Sequence, residues 1–335
     1  MGIVKLLPIK HPIIQAPMAG VTTPEFVAAA AESGVLGSIG AGYLSAEETR
    51  NFIRAVKELT TKPFAVNLFV PEKVEATEEQ LQKAYETLQP IAGRLGIAEW
   101  HRSFSESEFE GQVRVLIDEG IKVCSFTFEL PDSATIKLLK ENDIYLIGTA
   151  TTVEEAKLVE KAGLDAIVAQ GSEAGGHRGS FSGQLMLIPL NELISGIVKS
   201  VTIPVIAAGG IANKEQMENA LAKGAQAVQI GTALLAAHES GAHPVYKRVI
   251  LDAVEGTTVL TTAFSGKAAR GLRNCFTKEM EDAAIAPYPY QNDMTKEIRK
   301  AAANQGNSDY MSLWAGESVH KVKTGSVADI LNSFL

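Results

Sequence analysis

The segment 169–179, AQGSEAGGHRG, crowds glycines around a single histidine, His177. Glycine contributes no packing and its backbone is costly to order, so such a run makes poor core and suits a loop that a ligand must approach. An imidazole with an ordinary pKa near ~6.5 can accept or donate a proton at neutral pH, which makes His177 a candidate general base or donor to a developing anion. The competing reading is a solvent-exposed loop histidine. Gly209 with Gly210, and Gly231 with Thr232, each follow an apolar run. Glycines there let backbone amides close on an anion such as phosphate, although they would also suit plain tight turns. Asn67 in FAVNLFV and Gln170 in IVAQG set an amide among apolar neighbours. Burying an amide unpaired costs ~1 to 3 kcal/mol, so each needs a partner, and a ligand is favoured over backbone. Gln15 is a weaker case of the same kind.

Other chemistries lack their signatures. His11, His101, His238, His243 and His320 show no HExxH spacing or clustering with acids, and no metal site is expected. There is no GxSxG elbow, no GxxxxGK[ST] loop and no GxGxxG opening a helix. Cys124 sits in an apolar run and reads as core, while Cys275 in GLRNCF stays undecided.

These residues need a scaffold, and the chain repeats one unit, a short apolar run followed by a capped helix. Strands are expected to begin near Ile13, Leu36, Phe64, Lys122, Asp143, Ala166, Pro204 and Ala227. Their apolar character is nearly continuous, as in parallel strands buried on both faces. Thr23 with Pro24 predicts a helix start and Gly34 a left-handed end. Ser45 with Glu48, Thr152 with Glu155 and Asn213 with Gln216 predict capping boxes. Phe52, Ile53, Val56 and Leu59 recur at helical steps as an inward face. Eight such units predict a (β/α)8 barrel in one domain over residues 1–335, with catalytic groups in the loops after the strands. A doubly wound open sheet is the alternative. The spacing predicts an insertion over about 71–108 after the third strand, with a helix capped by Thr77 and Gln80 and stopped near Pro90. Residues from about 241 to 335 leave the rhythm and are expected to form a helical and irregular extension at the barrel mouth.

Composition narrows the partners. The 335 residues carry a net charge of −8 and are 46% hydrophobic and 21% charged, a globular balance. Nothing suggests the clustered Lys and Arg of a nucleic-acid or anionic-membrane binder. Two distant cysteines, no secretory signal and no apolar run near the ~18 residues of a membrane span point to a cytoplasmic protein.

The combination of IIQAPMAGVTTPEFVAAAAESGVLGSIGAG, AQGSEAGGHRG, PVIAAGGIA and AVQIGTALL resembles nitronate monooxygenase, also called 2-nitropropane dioxygenase. FSGKAARG, PYPYQND and SLWAG are similar to the class acting on propionate 3-nitronate, so the resemblance runs from about residue 13 to 316. It implies a TIM-barrel enzyme with one non-covalent FMN that uses O2 to convert nitronates into a carbonyl compound plus nitrite or nitrate, without NAD(P)H. It further implies FMN against Asn67, Gln170, Gly175, Gly209, Gly210, Gln229, Ile230, Gly231 and Thr232, with Pro17 and Met18 beside the ring system. His177 would be the catalytic histidine, positioning a nitronate or acting as base toward a neutral nitroalkane, and Tyr288 and Tyr290 would line the substrate pocket. SLWAGES has Glu317 where the family pattern has Gln. The histidine segment is also similar to flavin-dependent enoyl-acyl carrier protein reductases, which leaves an NAD(P)H-dependent reductase as the alternative activity. A flavin-binding protein without catalysis is a third reading.

Overall fold

In the computed structural model, which describes residues 3–7, 9–72, 74–98, 100, 104–182 and 184–335, all eight expected strands form. His101 and part of the segment 71–108 lie outside the described residues. In chain order the strands are β1 (Ile13–Gln15), β2 (Gly37–Gly40), β3 (Phe64–Phe69), β4 (Val123–Thr127), β5 (Tyr145–Ala150), β6 (Ala166–Gln170), β7 (Gly176–His177), β8 (Val205–Ala208), β9 (Ala227–Ile230), β10 (Thr258–Thr261) and β11 (Ala269–Leu272). Eight of them pair in parallel in the order β1-β9-β8-β6-β5-β4-β3-β2. A parallel bridge between Ile14 and Leu36 joins the two ends, so the sheet closes into a (β/α)8 barrel and the open-sheet alternative falls.

The apolar strands bury both faces. Inside the barrel, Ile14, Leu36, Ala65, Val123, Ile147, Ala166, Val168 and Ile206 pack together, and Ile3, Leu7 and Ile9 close the end where the strands begin. Outside, the strands carry helices such as Pro24–Glu32 and Ala46–Leu59. Thr23 accepts from the Phe26 N–H and Gly34 takes φ +77°, the turn its sequence predicts. Of the inward face, Ile53 and Val56 are fully buried, but Leu59, in the helix's last turn, is 49% exposed.

Capping differs from expectation in an instructive way. Ser45 with Glu48 and Thr77 with Gln80 form reciprocal boxes. Thr152 accepts from the Glu155 N–H, but the Glu155 carboxylate does not return to Thr152. It accepts instead from the Thr151 N–H and hydroxyl (2.6 and 2.8 Å) and from the Phe181 and Ser182 N–H groups (2.8 and 3.1 Å). A buried carboxylate goes where it meets the most donors, and here that ties the end of β5 to the loop after β6. Gln216 likewise leaves Asn213 and accepts from the Ala212 N–H at 3.0 Å.

Two further expectations are corrected. The helix Glu78–Arg94 runs through Pro90 rather than stopping there. Leu88, Ile91 and Ala92 on either side of the proline are buried against the extension, and that packing outweighs one lost backbone bond. The segment from 241 onward is not only helical and irregular. It contributes β10 and β11, which pair antiparallel and recruit β7 into a three-stranded sheet. Its last helix, Val327–Asn332, lies on the barrel's flank beside Phe26, Ala30 and Val228 rather than at the mouth.

Candidate functional site

A cavity opens at the carboxyl ends of the barrel strands, enclosing about 1260 Å³ of space with its mouth included. Asn67, Phe69, Thr127, Thr149, Gln170, Ala208 and Gln229 line it from successive strand ends, which is where a barrel of this kind places its chemistry. Interior residues are large toward the strand starts and small here: Ala208 and Val168 border the cavity while Ile14 and Ile206 fill the layer below.

Glycine makes one side of this wall possible. Gly209 and Gly210 have φ of +122° and +68°, the second in the left-handed region that glycine adopts without strain. Within the described residues no group accepts the Gly210 or the Gly231 N–H. Gly175 and Gly316 meet backbone to backbone: a Cβ on Gly175 would lie 2.5 Å from the Gly316 nitrogen. The Gly316 N–H donates to Thr232 Oγ1 at 2.9 Å, and the Ser318 hydroxyl donates to the Gly210 carbonyl at 2.7 Å. The C-terminal segment thus fastens both glycine turns.

His177 lines the same cavity. Its backbone is held on two sides, by pairing with Ala269 of β11 and by the Gln170 side-chain amide, which donates to the His177 carbonyl at 3.0 Å. The ring packs against Trp314 (5.4 Å between centroids), Phe128 (5.5 Å, edge on) and Tyr288 (6.4 Å), and its Nε2 lies 2.8 Å from Ser265 Oγ. Burial first, then the positive charges of Arg299 and Lys267, push its pKa down to about 3. An unfolded His binds a proton below about pH 6.5, so His177 favours the unfolded chain as pH falls through that value toward 3. Wild type should lose stability relative to His177→Asn over that window, by up to about 1.4 kcal/mol per pH unit, as read from unfolding midpoints at pH 7 and pH 5.

The structure brings Pro17, Met18, Asn67, Gln170, Gly175, His177, Gly209, Gly210, Gln229, Gly231 and Thr232 to one cavity. Asn67 uses its amide nitrogen on the Ser125 carbonyl, Ser125 Oγ and Thr127 Oγ1, and its side-chain oxygen has no partner among the described residues. Gln170 satisfies both ends of its amide on backbone, accepting from the Gly179 N–H at 2.8 Å besides its bond to His177, so the loop and not a ligand explains it. Gln15 is fully buried and bonds the backbone of Ser38, outside the cavity.

Ile230 does not reach the cavity. Its side chain is buried with Ile13 and Val228, and its carbonyl accepts from the Ala16 N–H at 2.8 Å. Tyr288 packs on Phe128 at 5.0 Å and is not itself part of the cavity wall, which Tyr43 lines. Tyr290 turns away, edge on to Phe104 at 4.9 Å, with its hydroxyl 3.4 Å from the Val74 carbonyl. Glu317 pairs with Arg270 at 3.0 Å. Cys124 is buried, which raises its thiol pKa, as a core cysteine should be.

Sequence reasoning missed Tyr43, Thr149, Tyr246, Trp314 and Ser318, all in the wall. Tyr43 and Thr149 followed expected strands and were legible by position. Tyr246, Trp314 and Ser318 come from the extension, and no period or spacing announces them.

Comparison with known proteins decides the family. The family model for nitronate monooxygenase matches residues 2–335. The chain belongs to the nitronate monooxygenase family. A protein of Staphylococcus aureus (strain MRSA252) named probable nitronate monooxygenase is 43% identical over 337 residues, covering 99% of this chain and 95% of that one. Among solved structures, nitroalkane oxidase from Streptomyces ansochromogenes superposes with a TM-score of 0.93 at 36% identity, covering 99% and 96% of the two chains. FabK from Thermotoga maritima follows at TM-score 0.79 and 32% identity, covering 99% and 94%. Membership makes this chain an oxidoreductase, and the nitroalkane oxidase likeness supports oxidation of nitronates. Among the described residues no helix is long and apolar enough to cross a membrane.

Proposed function

We propose that this chain, acting as one unit in the cytoplasm, oxidises alkyl nitronates, propionate 3-nitronate among them, with O2 and one non-covalently bound FMN. What supports the reading is that His177, held neutral, shares a wall with the Gly210 and Gly231 amides and the Asn67 side-chain oxygen, none of which has a partner among the described residues. That donor and acceptor set fits a phosphate-bearing heterocycle: the two glycine turns would take the phosphate, Asn67 would accept from a ring N–H, and Pro17 and Met18 would border the ring. FMN, when bound, would supply the electron transfer from substrate and the reaction with O2. The protein's share is placement and the proton. Arg299 and Lys267 lie near enough to depress the His177 pKa, so the same charges favour an anionic substrate beside it. A preformed nitronate needs no proton removed. A neutral nitroalkane needs a base, and the imidazole serves once the negative charge developing on the substrate offsets the burial that holds its pKa down.

The deciding experiment is anaerobic mixing of the purified flavoprotein with propionate 3-nitronate and, separately, with NADH, following the visible absorbance of the flavin. Bleaching by nitronate and not by NADH is the expected result. Rapid bleaching by NADH with nitronate inert would make the chain an NAD(P)H-dependent reductase, and bleaching by neither would leave only a flavin-binding role.

A further inference from the structure

We propose that Ser265 is a positioning residue that fixes His177 in the tautomer protonated on Nε2, leaving Nδ1 as the nitrogen that takes the substrate proton. The Ser265 hydroxyl has one proton and two acceptor sites. Its Oγ stands 3.0 Å from the Lys267 carbonyl, 3.3 Å from the Lys267 N–H and 2.8 Å from His177 Nε2. The Lys267 N–H can only donate, so it takes one acceptor site. The Lys267 carbonyl can only accept, and no other described group donates to it. Giving it the hydroxyl proton leaves a lone pair of Oγ toward the ring, and the ring must then donate from Nε2. The opposite tautomer turns the hydroxyl proton toward the ring and leaves that carbonyl with no donor among the described residues, while Ser265, 1% exposed, has no second proton to give.

The loop around Ser265 is built to hold this geometry. The Gly266 N–H closes on the Thr262 carbonyl at 2.8 Å, and Gly266 takes φ +80° where a Cβ would come 2.6 Å from the Tyr288 nitrogen. Gln291 donates to the Ala263 carbonyl at 2.8 Å and Thr295 to the Phe264 carbonyl at 2.5 Å, so helix Tyr290–Asn304 grips the loop from outside. Nδ1 of His177 has no partner among the described residues, and the residue lines the cavity. In the step this implies, the C–H bond α to the nitro group breaks, its electron pair stays on the substrate as a nitronate, and the proton bonds to Nδ1. The resulting Nδ1–H then faces the new anion as a donor. This inference rests on the proposed base role of His177 for its kinetic consequence, but not for the tautomer itself.

Two readouts test it. Two-bond proton–nitrogen correlation spectra of the flavoprotein labelled with 15N-histidine, with His177→Asn for assignment, should show a bare Nδ1 and a protonated Nε2 at neutral pH. In Ser265→Ala that signature should shift toward mixed tautomers, kcat/KM for nitroethane should fall about tenfold more than kcat/KM for its preformed nitronate, and Ser265→Thr should restore much of the loss. A protonated Nδ1 with bare Nε2 in wild type overturns the proposal, whether or not the alanine variant folds. So does an alanine variant with the wild-type tautomer and equal losses on both substrates. If neither substrate is turned over by wild type, the functional reading fails while the spectrum still decides the tautomer.

Discussion

Replacing His177 by Asn should lower kcat/KM for a neutral nitroalkane by about 10² to 10⁴, the range a positioned general base contributes. The loss on a preformed nitronate should be far smaller, because that substrate arrives without the proton. FMN content should stay near wild type, since the imidazole contacts Ser265, Trp314, Phe128 and Tyr288 rather than the glycine turns. Stopped-flow measurement on the two substrates, with flavin content from absorbance, checks all three statements. Equal losses on both substrates would assign His177 to binding alone. Near-normal turnover on both would remove the catalytic reading.

The second large effect lies at Gly210. Its φ of +68° is strained for a branched residue, and a Cβ there would meet the Glu173 side chain at 3.1 Å. Gly210→Val should therefore cost about 1 to 3 kcal/mol in the liganded turn and push the backbone N–H from its place. A weakening of FMN binding by roughly 5-fold to 10²-fold follows at about 1.4 kcal/mol per tenfold, with little change elsewhere in the barrel. Titration of the apoprotein with FMN, followed by flavin fluorescence, measures it. Wild-type affinity in the valine variant would move the phosphate away from this turn.

His177 carries the first prediction because its setting was readable: a histidine among glycines after a strand has few structural uses. Gly209, Gly210, Gly231 and Thr232 were readable for the same reason, as turn residues at the ends of the seventh and eighth barrel strands. Asn67 and Gln170 show the limit. Both are amides in apolar strands, and composition marks both as needing partners. Only the folded structure separates Asn67, whose oxygen has no partner among the described residues, from Gln170, which the backbone of its own loop satisfies. Tyr288 and Tyr290 differ by two residues and point to different places, because the second begins a helix that turns it toward Val74 and Phe104.

By itself the sequence determined what depends on local pattern. Eight buried parallel strands, most of the helix caps and the glycine turns follow from period, propensity and the conformational freedom of glycine, and these act within a few residues. The tertiary structure decided what depends on competition among distant groups. Glu155 left its cap for better donors at Phe181 and Ser182. The helix through Pro90 survived on its packing. Ser265 reached His177 across 88 residues by way of a sheet, β7 with β11, that two residues of strand could not have announced. A hydrogen bond goes to the best partner within about 3 Å, and which partners come that close is a property of the folded chain, not of any segment of it.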